Sequence, residues 1–504
     1  MKATFEKKGF GGVEAGLLAI PCMRGRVPEK AVSLLKELGA EKDFDGSRGK
    51  SLILHTPREK YARVLLIGMG REKNVKIEDF RAAGGKTYSN ASLLSAERCA
   101  VWMDEKTEIA LGDAAQAFVE GFFLKSLRLD IYRSKKKDEE KKEASEEPSE
   151  DDDEDAQVKE LIVLCEEDLS RNVKEGYILA EAQNYARLLD QEPANIMTPQ
   201  RMADEALMLA KKYGMDCRVY TSGELEKEGM WGLLAVGRGS AQSPVFVRMG
   251  YNEGKGFPQI ALVGKAVTFD SGGVCIKPSK GMVAMKYDKS GALVLMGVMR
   301  ALAELKVPVC ANLYFGAVEN MPDGNATKPG DVVKAFNGKT IEIVDTDAEG
   351  RVCLADAVSY AASKKPELII DVATLTGAVS IILGRYGAGV MGTDEKAIEL
   401  MLKCGEHTHE RLWPLPLWDE YFDMIKSEIA DVKNLGSDRG EAGTITAAMF
   451  IKEFTDGVPW MHLDIASVDH IESPTAYFRR GPSGKHVRSL TEFVRAWVQE
   501  KAKK

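Results

Sequence analysis

Between residues 259 and 373 the chain alternates apolar runs that read as buried strands with charges that buried strands do not tolerate alone. Lys265, Asp270, Lys277 and Asp288 lie in the stretch Gly264-Lys265-Ala266-Val267-Thr268-Phe269-Asp270-Ser271-Gly272-Gly273…Met285-Lys286-Tyr287-Asp288. Some eighty residues on comes Asp345-Thr346-Asp347-Ala348-Glu349-Gly350-Arg351. Asp270, Asp288, Asp347 and Glu349, with two lysines and an arginine, thus sit among glycines and next to buried sheet. Charge this dense is costly there unless it is paired or holds a metal. The chain must fold so that these groups meet, and a hydrolytic metal site is the expected result.

The surrounding pattern is α/β. A length of 504 residues exceeds what one small core serves, so two domains are expected. In the first, 16–20, 62–67, 99–103 and 161–165 read as strands, with helices over 79–94 and 114–124. A helix over 172–189 ends before Glu192-Pro193 and another opens at Thr198-Pro199. The second, larger unit has expected strands 259–263, 309–316, 341–345, 368–373 and 460–465, with helices over 292–305 and 354–363 between them. Open α/β sheets take ligands at the carboxyl ends of their strands. Lys265 follows the 259–263 strand and Asp347 follows 341–345, so both fall where a site belongs. The domains are expected as 1–170 and 171–504.

Charge enters the argument through one insert. Residues 135–155 carry 5 Lys and 12 acidic residues, a local sum of −7 that leaves −1 of the chain's −8 for the rest. With no apolar side chain larger than Ala, the insert near 135–157 cannot bury enough surface to offset its ordering entropy and reads as a disordered, solvated loop. A docking tail for a basic partner and a weak cation binder are the alternatives. The near-neutral body lacks the clustered Lys and Arg that nucleic-acid binding needs. Eight scattered cysteines without a C-x-x-C pair suit a reducing compartment. The N-terminal Met1–Phe10 stretch lacks the apolar core expected of a signal peptide, and no run approaches the roughly 20 apolar residues of a membrane span. A soluble, cytoplasmic protein without a membrane partner is expected.

The ligand set narrows the chemistry. Four carboxylates balance two divalent cations, and hard oxygen ligands suit Mg²⁺, Mn²⁺ or Zn²⁺. A lysine can join as a ligand only when neutral, with a pKa well below about 10.4. A second lysine and Arg351 can remain cationic and stabilise oxyanion charge. Two metals can activate a water and polarise a carbonyl or a phosphoryl oxygen, so the substrate stays open between the two. Taken singly, Asp345 or Asp347 reads equally as a helix cap, and Asp270-Ser271-Gly272-Gly273 as a turn. The six histidines do not cluster and no H-E-x-x-H is present, which disfavours a histidine-ligated zinc protease. His462 is expected to be structural.

These motifs resemble the leucyl aminopeptidase (cytosol aminopeptidase) family, whose Asn-Thr-Asp-Ala-Glu-Gly-Arg hallmark stands here as Asp345–Arg351. Further matching stretches are 237–244, 262–288, 319–331, 371–377 and 427–464, with Gly443-Thr444-Ile445-Thr446-Ala447-Ala448 inside the last. The resemblance runs from about residue 175 to the end. It implies a smaller N-terminal α/β domain and a larger catalytic α/β domain with a mixed central sheet flanked by helices. It implies two metal ions, Zn²⁺ or Mn²⁺, on Lys265, Asp270, Asp288, Asp347 and Glu349, with Asp270 and Glu349 bridging and Lys265 neutral. Lys277 would polarise the scissile carbonyl, and Arg351 would hold a bicarbonate that relays a proton. Met285, Thr374, Leu375, Gly377, Ala466 and Asp469 would bind the substrate. Short peptides would lose one N-terminal residue, in a homohexamer whose sites face an inner cavity.

Two positions depart from the family pattern. Asp345 replaces the usual Asn and adds negative charge beside the metals. Asp469 stands where an apolar residue is common. In the pocket it would favour a basic first residue; turned outward it would pair with Arg479 or Arg480. The rivals to a peptidase are a two-metal phosphoesterase, which leaves Lys265 and the peptidase motifs unexplained, and a nucleic-acid binder.

Overall fold

A computed structural model describes residues 1–56, 60–103, 108–134, 158–437 and 440–503. The acidic insert near 135–157 lies outside them. The chain divides into two compact units, Met1–Glu181 with Ser473–Arg480, and Ala182–Glu472 with Gly481–Lys504.

The N-terminal unit is built on six strands: β1 (Lys2–Lys7), β2 (Leu17–Met23), β3 (Ser51–His55), β4 (Arg63–Gly70), β5 (Arg98–Trp102) and β6 (Glu160–Cys165). Their order is β1-β6-β5-β2-β4-β3. All pairs are parallel except β3, which runs antiparallel to β4. β2 and β6 are buried at every position, as strands covered on both faces must be. The sequence signals for the strands at 16–20, 62–67, 99–103 and 161–165 fall on β2, β4, β5 and β6. The two edge strands β1 and β3 escaped that pattern because Lys2–Lys7 and Ser51–His55 bury few side chains. Helices α1 (Glu29–Glu37) and α2 (Ile77–Leu93) pack on the sheet, and α3 (Leu111–Ser126) packs on α2.

The unit boundary falls in helix α4 (Ser170–Gln191). In the C-terminal unit, α5 (Pro199–Tyr213) opens as Thr198-Pro199 dictates: the Thr198 hydroxyl accepts from the Arg201 amide at 3.2 Å, and Gly214 closes the helix in the left-handed conformation. Helices α6 (Ser222–Glu228) and α7 (Trp231–Gly237) follow. The strands are β7 (Asp216–Tyr220), β8 (Val245–Tyr251), β9 (Gln259–Gly264), β10 (Ala266–Asp270), β11 (Cys310–Asn320), β12 (Val332–Lys334), β13 (Thr340–Glu342), β14 (Leu368–Ala373), β15 (Ala388–Gly392), β16 (Leu412–Pro414), β17 (Val432–Lys433), β18 (Trp460–Asp464) and the short pair β19 (His470–Ile471) and β20 (Gly481–Pro482).

Nine of them form a mixed sheet ordered β16-β15-β18-β14-β9-β11-β8-β7, with β10 paired to the second half of β11. The central strands β18, β14, β9, β11 and β10 are mutually parallel where they pair. Helix α9 (Glu349–Ser363) packs in one core with Ala261, Val263 and Ile369. Helix α8 (Ser290–Glu304) touches the same strands but adds nothing to that core, so it covers the opposite face. One expected strand is corrected. Residues 341–345 do not continue the main sheet: β13 ends at Glu342 and belongs to a separate three-stranded sheet with β12 and β17. The Asp345 carboxylate accepts the Asp347 amide at 2.8 Å, and this local turn replaces the last strand residues.

Candidate active site

Five parallel strand ends bring polar and charged groups to the site. Lys265 bridges β9 and β10, Asp270 ends β10, Asn320 ends β11, Thr374 follows β14 and Asp464 ends β18. Asp288 closes the 3₁₀ turn Met282–Tyr287, just before α8. Asp347 arrives from the turn ahead of α9 and Glu349 opens that helix.

The geometry is a lattice of carboxylates held together by two ammonium groups. Lys265 Nζ lies 2.8 Å from Asp288 Oδ1, 2.9 Å from Glu349 Oε1 and 3.1 Å from the Thr374 carbonyl. Lys277 Nζ lies 2.7 Å from Asp270 Oδ2 and also contacts Asp347 Oδ1. Asp270, Asp347 and Glu349 each bring an oxygen within 4.8 Å of the others. The inner members Lys265, Asp270, Asp288 and Glu349 are buried. Lys277 and Asp347 keep 20% and 33% of their side chains exposed, so the cluster opens to solvent on their side.

Burial opposes the charge on Lys265, but Asp288, Glu349 and Asp270 outweigh it and hold its ammonium above the ordinary range. Lys277 follows the same balance, with burial overcome by Asp270, Glu349 and Asp347. Burial pushes Asp347 up to about 7, against Lys277 and with help from Asp270 and Glu349. Asp288 is likewise raised, by burial first and by its carboxylate neighbours, against Lys265. Four carboxylates against two ammonium ions leave an excess of negative charge. Asp288 Oδ2 is buried with no hydrogen-bond partner among the described residues. A buried, unpartnered carboxylate oxygen beside three convergent ones suits divalent cations, so the residues present fit a metal centre.

Neighbouring polar groups fix the lattice. Thr374 Oγ1 donates to Asp288 Oδ1 at 2.8 Å. Asn320 Nδ2 donates to Asp270 Oδ1 at 2.8 Å and to the Thr346 carbonyl at 2.9 Å, tying the two charged segments together. Thr346 Oγ1 donates to the Gly272 carbonyl at 2.6 Å and accepts the Cys275 amide. Asn434 clamps the 344–348 turn through both ends of its amide. At Gly350 a Cβ would lie 2.4 Å from Lys265 Cε, so only glycine lets that lysine cross the helix start. Sequence reasoning gave no role to Asn320, Thr346 or Asn434, because a neutral amide or hydroxyl shows its partners only after folding.

Arg351 is buried, and its Nε and Nη1 have no hydrogen-bond partner. Burial lowers it to about 10 against Glu349, Asp464 and Asp345. Those donors could hold an anion. Asp345 makes a turn bond that an asparagine oxygen would make equally well, so the departure keeps the backbone and adds charge. His462, fully buried on β18, sits 2.6 Å from Asp371, which also takes the Trp460 indole N–H; it supports the sheet.

Of the expected substrate residues, Met285 is half-buried in the 3₁₀ turn, Thr374 and Leu375 follow β14, Gly377 starts helix α10 (Gly377–Leu383), and Ala466 and Asp469 follow β18. Asp469 takes a partner that neither reading named: its Oδ1 lies 2.8 Å from His470 Nδ1 and accepts the His470 amide. The His470 ring in turn stacks on Tyr287 at 5.3 Å.

Comparison with known proteins converges on one group. The catalytic-domain model of the cytosol aminopeptidase family matches residues 184–491, and its N-terminal-domain model matches 16–136. A "Probable cytosol aminopeptidase" of Persephonella marina is 41% identical over 93% of this chain and 92% of its own length. One of Solibacter usitatus is 39% identical over 99% and 100%. Among solved structures, the bottromycin maturation enzyme BotP in complex with Mn superposes with a TM-score of 0.85 at 33% identity, covering 96% of this chain and all of that one. A mutant of tomato leucine aminopeptidase gives 0.85 at 28%, over 98% and 96%.

Proposed function

The chain belongs to the cytosol aminopeptidase family, and from that premise we propose that it is a two-metal aminopeptidase that releases the N-terminal residue of short peptides. The observation that carries this reading is the meeting of Asp270, Asp347 and Glu349 within 4.8 Å beside the unpartnered Asp288 oxygen. Lys265, Asp270, Asp288, Asp347 and Glu349 would hold two divalent ions, with Asp270 and Glu349 shared. Bound there, Zn²⁺ or Mn²⁺ lowers the pKa of water and polarises a carbonyl.

The chain's own groups do the rest. Lys265 must give up the proton it holds among the carboxylates to become a ligand, so metal loading is coupled to proton release at Nζ. Lys277 stays cationic on the open side of the cluster, placed to donate from Nζ to the scissile carbonyl oxygen as its charge develops. The free Nε and Nη1 of Arg351 would hold a bicarbonate, which supplies a proton acceptor beside the attacking water. That proton ends on the departing amine as the C–N bond breaks. Met285, Thr374, Leu375, Gly377, Ala466 and Asp469 would line the site for the first residue. Asp469, balanced by His470, would shift preference towards basic side chains. The family resemblance extends the proposal to a cytoplasmic homohexamer.

The test is hydrolysis of Leu-, Arg- and Cys-Gly-type amides by metal-stripped protein, with Mn²⁺ or Zn²⁺ restored. Metal-dependent release of the first residue supports the reading, with Arg favoured if Asp469 lines the pocket. No turnover of any free-amine substrate with either metal loaded contradicts it.

A further inference from the structure

The N-terminal unit has a ligand-competent crevice of its own, at the carboxyl edge of its sheet. β2 and β4 are adjacent and parallel. The chain leaves β2 towards α1, whose Ala31, Leu34 and Leu35 pack with Leu18, Ile20, Val64 and Leu66 on one face. It leaves β4 towards α2, which touches the same two strands but contributes nothing to that cluster, and so covers the other face. Neighbouring strands whose next segments part to opposite faces open a crevice between their carboxyl ends, the place where open α/β sheets take ligands.

A cavity of about 260 Å³ lies there, lined by Arg24, Ser47, Arg48, Gly70, Arg71 and Asn74. The 45–50 loop is pressed flat onto the strand ends. The Gly70 amide donates to the Gly46 carbonyl and the Gly68 amide to the Lys50 carbonyl, each at 2.9 Å. A Cβ on Gly46 would come 2.5 Å from the Met23 carbonyl oxygen, and one on Gly68 2.0 Å from that of Ser47. The cavity wall is therefore backbone, set by two glycines.

Three arginines line this cavity. Arg48 is braced, donating to the Asn74 carbonyl at 2.7 Å and to Asp79 at 2.8 Å. Arg24 lies 3.6 Å from Asp45, a carboxylate already engaged by the amide and hydroxyl of Ser47 and by Lys50. Among the described residues the Arg71 guanidinium has no hydrogen-bond or ion-pair partner, while the Arg71 carbonyl accepts the Asn74 amide at 2.9 Å. Guanidinium forks match phosphate oxygens two at a time, and a cavity near the small end of the small-molecule range takes a compact ligand. We propose that the Arg24–Arg48–Arg71 crevice binds the phosphate groups of a soluble diphosphate, a site separate from the carboxylate cluster.

Calorimetric titration of the metal-loaded protein with inorganic pyrophosphate and with a nucleoside diphosphate tests this. Saturable binding of both is expected, with equal affinities marking a free-pyrophosphate site and tighter nucleotide binding a nucleotide site. Arg24→Glu with Arg71→Glu should weaken binding more than about tenfold and leave peptide hydrolysis unchanged, whereas Asp347→Ala should keep the binding. Arg71→Ala, which removes an exposed and unpaired side chain, should weaken it several-fold and serves if the double variant misfolds. No saturable binding up to about 10 mM, or binding lost in Asp347→Ala but kept in the arginine variants, overturns the proposal.

Discussion

The two units present opposite charge at equivalent places. Each has a sheet with parallel strands and a site at their carboxyl ends, yet the C-terminal unit gathers carboxylates there and the N-terminal unit gathers arginines. The decisive difference is burial. Asp288, Glu349 and Lys265 lie inside the protein, where an unpaired charge is costly and each member needs the others. Arg24, Arg48 and Arg71 are exposed, where pairing is worth little and charge can wait for a ligand. A buried charge thus states its function in the sequence, while an exposed one states it only after folding.

The sharpest break of this comparison is at the carboxylate cluster. Asp347→Ala removes a member of the three-carboxylate convergence, and kcat/KM for a Leu amide should fall at least about 10³-fold while the fold persists. Circular dichroism alongside the assay separates the two effects. Gly350→Ala should follow. The added Cβ would meet Lys265 Cε at 2.4 Å, displacing the lysine from Asp288 and Glu349 and costing about 1–3 kcal/mol of stability, with activity down about 10²-fold. Chemical denaturation and kinetics read both.

Legibility followed the same division. The segments 262–288 and 345–351 declared themselves because charged residues stand beside apolar runs, and the central strands β14 and β18 were legible as short, mainly apolar runs despite Asp371, His462 and Asp464. The 341–345 strand misled because its apolar residues serve a small separate sheet, and the Asp345 side chain bonds its own turn. Asn320 and Asn434, which knit the charged segments together, gave no signal, since their role depends on partners 26 to 90 residues away. The arginine crevice was invisible for a like reason: residues 24, 48 and 71 meet only through the order of strands.

A third prediction concerns pH and belongs to the buried side. His486 is buried, its Nδ1 3.1 Å from Ser489 Oγ. Burial, with Lys485 and Arg488, lowers it to about 4 despite Glu410. The unfolded chain binds a proton at about 6.5 while the folded one stays neutral, so the unfolded state holds more protons between these values. The His486 contribution is then full above about 6.5 and falls by about 3 kcal/mol as pH drops to about 4, while Asp347 and Asp288, raised in the folded state, contribute with the opposite sign. The measurement is therefore a difference: unfolding of metal-free His486→Gln across this range should lose less stability with falling pH than the wild type. The smallest effect lies on the exposed side. Arg71→Glu should change stability by less than about 0.5 kcal/mol and leave kcat/KM for peptides within twofold, as measured by thermal melting and the same assay.

The central claim is that the buried carboxylates of the C-terminal unit exist to hold two metal ions. Elemental analysis of stripped protein re-equilibrated with Mn²⁺ or Zn²⁺, beside Asp347→Ala, measures this without reference to any substrate. Two ions per chain, falling to one or none in the variant, are predicted. A wild-type chain that takes up no ion, or a variant that binds as many as the wild type, would contradict it.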